Sequence, residues 1–99
     1  MAANPLDVFN RIDPELLNVV ESTRSFALSD GALPRKYKLL IALTLDAVHG
    51  AVNGVTFLAR QAIEAGVTKE EITEAIRVAQ FVSGVGSTYT AGSGLSDLF

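Results

Sequence analysis

Residues Leu39–Gly66 read LLIALTLDAVHGAVNGVTFLARQAIEAG, and the way this stretch folds decides the architecture. From Leu39 to Leu45 only Thr44 interrupts the apolar residues. Such a run suits a buried strand as well as a helix, but its length, its leucine-rich turns and its alanines favour a helix. Gly50 breaks it. A further helix is expected from about Ala51 to Ala65, where Val52, Val55, Leu58, Ala59, Ala62 and Ile63 share one face at i, i+3, i+4 spacing. Gly66 is the residue expected to close that helix. A helix apolar almost all round belongs in a core or a subunit interface. The segment from near Pro34 to His49 is therefore expected at the centre of the domain.

Working outward, three more segments read as helices. Asp13 is an N-cap, with Pro14 at the first helical position and Glu15 in the first turn. Leu16, Leu17, Val20, Thr23, Arg24 and Ala27 follow at helical spacing, and Ser29-Asp30-Gly31 closes the segment. Downstream, Thr68-Lys69-Glu70-Glu71 fits a capping box, and Val67 and Ile72 are placed for a hydrophobic staple. Ile72, Ala75, Ile76, Ala79 and Val82 form its expected buried stripe. After Gly84 and Gly86 a last helix is expected from Ser87, as cap, to about Leu98. Gly92 and Gly94 each weaken it by roughly 1 kcal/mol relative to alanine, so it is expected to need a partner chain. The reading is all-α, about five helices, in one domain over residues 1–99.

Bulk composition narrows the function classes. The chain has 99 residues, 48% of them hydrophobic, and a domain so small has little interior in which to hide them. An oligomer is expected, its contacts burying the central helix and much of the C-terminal segment. A net charge of −3 without a basic tract argues against nucleic acid. No run reaches the roughly 18 apolar residues of a membrane span, and MAANPLDVFNRIDPEL is unlike a signal peptide, so a cytoplasmic location is expected. There is no cysteine. A disulfide cycle, a thiol peroxidase step and a cysteine-ligated metal are therefore unavailable within the chain. With one histidine, a multi-histidine metal site would need several subunits. Neither a metal nor a cofactor is expected.

KLLIALTLDAVHG, FLARQAIEAGVTKEEITEAIRVAQ and the glycine-rich FVSGVGSTYTAG together carry a resemblance. The span from Tyr37 to about Ala91 resembles the carboxymuconolactone decarboxylase family, whose redox branch includes the alkylhydroperoxidase D-like proteins. The resemblance implies an alkylhydroperoxidase D-like helical bundle and a homo-oligomer, a trimer or a hexamer. It also implies where function would sit. The two redox cysteines of the peroxidase branch would fall at Ala51 and Gly54, the histidine four residues beyond the second at Leu58, and a glutamate of the preceding helix near Leu39. Arg60 matches a frequent basic position. The residues that earn the family its redox label are thus replaced here, and a fold does not by itself carry an activity.

What remains for chemistry is polar. At about 100° per residue, Arg35, Lys38, Asp46 and His49 fall within about an 80° arc of one helix. Asp46 and His49 are spaced i, i+3. One reading makes His49 a general acid or base oriented by Asp46; the other makes the pair a solvated edge, with His49 favourably placed at a helix C-terminus. Asn53 either hydrogen-bonds a ligand carbonyl or carboxylate beside free helix N–H groups or caps the helix. Arg35, Lys36 and Lys38 either hold a small carboxylate or form a surface face paired with Asp30 or a neighbouring subunit. Tyr89 either donates a proton or lines a pocket. Phe57 and Phe81 read as core or interface aromatics. Two functions follow: a cofactor-independent decarboxylase or isomerase acting on a small organic acid or lactone, and a non-catalytic oligomeric module that binds a small molecule or a protein. A peroxidase or disulfide reductase, which homology alone suggests, is disfavoured by the missing cysteines.

Overall fold

The computed structural model describes residues 4–99. Asn4 caps a short 3-10 turn, Pro5–Val8, that runs into the one-turn helix α1, Phe9–Ile12. Five longer helices follow: α2 Pro14–Leu28, α3 Arg35–His49, α4 Val52–Glu64, α5 Lys69–Ser83 and α6 Val85–Leu95. The described residues contain no strand, so the all-helical reading holds. The one-turn α1 was not expected, because four residues carry no periodic pattern.

Local chemistry sets the boundaries. Asp13 Oδ1 accepts from the Leu16 N–H at 3.0 Å and starts α2. Thr68 and Glu71 form the reciprocal capping box of α5, with Thr68 Oγ1 accepting at 3.1 Å and Glu71 Oε1 accepting at 2.8 Å. Val67 and Ile72, on either side of the box, are both buried. At the end of α3, Gly50 takes φ +79°, a conformation costly for any residue with a Cβ. Its N–H donates to Ala47 O at 3.3 Å, and the Ala51 N–H reaches back to Asp46 O at 2.9 Å. This paired closure satisfies the last carbonyls of α3 and turns the chain directly into α4.

α6 differs from expectation at both ends. It starts at Val85, and Ser87 is a buried residue of its first turn whose hydroxyl donates to Gly84 O at 2.9 Å. It stops at Leu95. The helix packs on α4, α5 and α3 of its own chain, and one of the glycines expected to weaken it makes the contact. Gly94 is buried against α4, and Thr56 Oγ1 donates to its carbonyl at 2.6 Å. A Cβ at Gly94 would stand 2.7 Å from Val55 Cβ and 2.9 Å from the Val52 carbonyl oxygen.

The core is built from Leu39, Leu43 and Ala47 of α3, Val55, Ala59 and Ala62 of α4, Val67, Ile72 and Ile76, and Ala91 of α6. α3 lies at its centre, touching α4, α5 and α6. Only one side of α3 is buried, the i, i+4, i+8 stripe 39/43/47. Its opposite side, with Tyr37, Ile41, Leu45 and Val48, is exposed. Other expected buried-stripe positions also face outward: Val52, Ile63 and Val82 are exposed, and Phe57 and Phe81, read as core or interface aromatics, are not in the core of the chain. No residue of α1 or α2 is buried.

Candidate functional site at the α3–α4 elbow

The paired closure at Gly50 brings the end of α3 against the start of α4. Asp46 is half-buried there, and His49, the last residue of α3, is exposed. Asn53 lies in the first turn of α4, exposed. It does not cap that helix: the residue at the cap position is Ala51, and no side chain accepts from the first turn. The first turn of α4 therefore has no side-chain cap, and its Val52 N–H donates to Gly50 O at 3.1 Å.

The side chain of Asp46 packs closely within the elbow. Its carboxylate lies over Gly54, and a Cβ built at Gly54 would collide with Oδ2 and stand 2.8 Å from Cγ. The negative charge is thus held beside the positive end of the α4 dipole, where it is favourable. Among the described residues the single ion pair is Arg24–Glu21 at 3.4 Å. Asp46 and His49 are joined neither by an ion pair nor by a side-chain hydrogen bond, although they share a helix face.

Arg35 and Lys38 are at the other end of α3. His49 lies fourteen positions beyond Arg35, about 20 Å along the axis at ~1.5 Å per residue. Both cations already have partners. Arg35 donates through Nη2 to Gln61 Oε1 at 2.9 Å, and its backbone N–H donates to Asp30 Oδ1 at 2.6 Å. Lys38 Nζ donates to the Ser29 carbonyl at 2.7 Å. Together they fasten the α2–α3 connection to α3 and α4. Arg35 and Asp30 line a cleft of about 430 Å³ with Arg24, Ser25, Leu28 and Ser29. Lys36 Nζ lies 5.1 Å from the centre of the Tyr37 ring. Tyr89, 74% exposed, lines a separate depression of about 660 Å³ on the outer side of α6, with Val85, Thr88, Gly92, Ser93 and Ser96. Within one chain, then, the elbow gathers Asp46, His49 and Asn53, and leaves Arg35, Lys38 and Tyr89 elsewhere.

Two features here were not legible in the sequence. Gly54 reads as a weak helix residue until its contact with Asp46 is seen. Gln61, partner of Arg35, is 26 residues away. A third apolar groove, of about 340 Å³, runs between α3 and α5 along Ile41, Thr44, Leu45 and Val48 on one wall and Ala75, Val78 and Val82 on the other. No group of three or more His, Cys, Asp and Glu among the described residues is arranged to hold a metal ion, and no helix among them is long and apolar enough to cross a membrane.

Comparison with known proteins agrees with this architecture. Residues 14–91 match the family model described as the carboxymuconolactone decarboxylase family. The fold is similar to the apo crystal structure of a carboxymuconolactone decarboxylase family protein from Legionella pneumophila. The TM-score is 0.87 at 30% sequence identity, over 92% of this chain and 81% of that one. A search of curated proteins finds no significant match.

Proposed function

The chain belongs to the carboxymuconolactone decarboxylase family, and from that membership we propose that it is a self-assembling binding module of the family rather than one of its thiol enzymes. The observation that carries this reading is the dispersal of the polar residues. The cations that would hold an organic anion, Arg35 and Lys38, are committed to Gln61 and to the Ser29 carbonyl, about 20 Å from His49 along α3. Self-assembly, as a trimer or hexamer, is supported by the exposed apolar faces of α3 and α5, since a monomer rarely leaves such contiguous surface to water.

A second reading is favoured by the elbow. Asp46 and His49 flank the start of α4 with His49 open to solvent, an arrangement suited to proton transfer on a small organic acid or lactone. Asp46 refines the substrate class. A carboxylate seated on the first turn of α4 repels a second anion there, so a neutral lactone suits the elbow better than a free acid.

One experiment separates the two. The purified protein is screened by thermal shift with small lactones and carboxylates, and any stabilising compound is assayed for conversion by wild type and by His49→Ala. Bound ligand raises apparent stability. The binding-module reading expects ligand shifts without turnover. Turnover that His49→Ala abolishes, with assembly intact, replaces it by the lyase or isomerase reading. Thiol-dependent peroxide turnover by the pure protein contradicts both.

A further inference from the structure

We propose that α2 of one copy docks lengthwise into the α3–α5 groove of a second copy, so that the N-terminal helix is the connector of the assembly. This rests on the self-assembly reading above and names its surfaces.

Two unpartnered features carry it. The first is a second apolar stripe on α2. The helix leans on its own chain through Leu17, Val20, Arg24 and Leu28, the half-buried positions of α2. Leu16, Val19, Thr23 and Phe26 form another row at 3, 4, 3 spacing, roughly 125° round the helix at ~100° per residue. That row faces water: Phe26 is 88% exposed and Val19 61%. A 15-residue helix without one buried residue has no intrachain reason to carry two apolar rows.

The second feature is the groove. Its walls are 41/44/45/48 on α3 and 75/78/79/82 on α5, each an i, i+3, i+4, i+7 row. Two such rows side by side leave a channel that a third helix fills by ridge-into-groove packing. Val82 is 76% exposed and Val78 63%. None of the lining residues and none of the four in the outer α2 row is charged, so docking buries no charge. The lengths are compatible. The α2 row spans eleven residues, about 15 Å, and the α3 wall eight, about 10 Å, so the groove takes about two-thirds of the row. The chain's own α2 is not the occupant, because Lys38–Ser29 and Arg35–Asp30 hold its C-terminal end on the start of α3, and its outer row points away from that seat.

The absence of cysteine allows a clean test with full-length protein. The near-isosteric substitutions Thr23→Cys in the α2 row and Thr44→Cys in the groove are made singly and together, and cross-linked by mild oxidation and by a short bis-maleimide. Circular dichroism checks that helicity is retained. The double variant is expected to give covalent dimers and longer ladders, and each single variant little. In parallel, Phe26→Asp is expected to weaken association by roughly tenfold or more, the scale of a lost aromatic anchor, read by sedimentation. An intrachain cross-link, or dimers from Thr23→Cys alone, overturns the docking. So does an oligomer indifferent to Phe26→Asp; in that case self-assembly survives and the docking mode fails. A wild-type monomer at high micromolar concentration removes both.

Discussion

The carboxylate of Asp46 occupies the space that a side chain at position 54 would need, with Cγ 2.8 Å from where that Cβ would be. Gly54 and Asp46 are therefore one unit, although eight positions apart on different helices. Position 54 is also where the family resemblance puts the second redox cysteine, so the loss of that side chain and the placement of Asp46 are sterically coupled.

The coupling has a measurable sign. Gly54→Ala gains roughly 0.5–1 kcal/mol of helix propensity but must drive the flexible end of Asp46 aside, a cost of similar size. Its net effect in the wild type is expected near zero. In an Asp46→Ala background the same substitution is expected to stabilise by roughly 0.5–1 kcal/mol. A double-mutant cycle by urea denaturation measures the difference; additive effects would show that the two residues do not share the space.

At Gly94 the obstruction cannot swing away. The nearest atoms are Val55 Cβ and the Val52 carbonyl, parts of α4 rather than the tip of a mobile side chain. Gly94→Ala is expected to cost about 1–3 kcal/mol as α6 is pushed off α4. Gly92, two residues earlier, has nothing within 4 Å of its would-be Cβ. Gly92→Ala is expected to stabilise by roughly 0.5–1 kcal/mol. Opposite signs for two identical substitutions in one helix, read from urea midpoints, are the test.

The capping box makes the start of α5 sensitive to acid. The hydrogen bond from the Thr68 backbone N–H holds the Glu71 carboxyl below its ordinary pKa of 4.5, helped by the Thr68 hydroxyl bond and by Lys36 and opposed by desolvation. A depressed carboxylate stabilises the fold fully above its unfolded pKa, and that contribution disappears as pH falls through the folded value. Thermal melts of wild type and Glu71→Gln are expected to differ near neutrality and to converge as pH drops below 4.5. Thr68→Ala is expected to cost about 1 kcal/mol near neutrality.

Much of the fold was legible because its signals are local. Asp13-Pro14, Thr68 to Glu71 and the glycines at 50 and 66 each fix a boundary with atoms a few residues apart, and each element they bound appears in the structure. Which apolar face is buried was less legible. Val82 fits the α5 stripe as well as Ile76 does, but periodicity cannot say where the neighbouring helix ends, and Val82 lies in the open groove. The α6 start differs from the sequence reading for a similar reason: Ser87 has the chemistry of a cap, and only its burial and its bond to Gly84 O show that it is spent inside the turn. For the site, helical spacing put Asp46 and His49 on one face. It could not reveal that Arg35 and Lys38 are tied to Gln61 and Ser29, because those partners come from other segments.

The division of α3 into a buried row, an exposed greasy row and a narrow polar strip bears on how this scaffold can change. Mutations on the first row empty the interior, and those on the second alter whatever covers it. On the strip, Arg35 and Lys38 act as guy-ropes for the preceding turn. The side chain of Asp46 is coupled to Gly54 and His49 is exposed, and both sit at the corner where α3 meets α4. A lineage built on this frame would be expected to acquire and discard its chemistries at that corner, while the rest of the beam stays put.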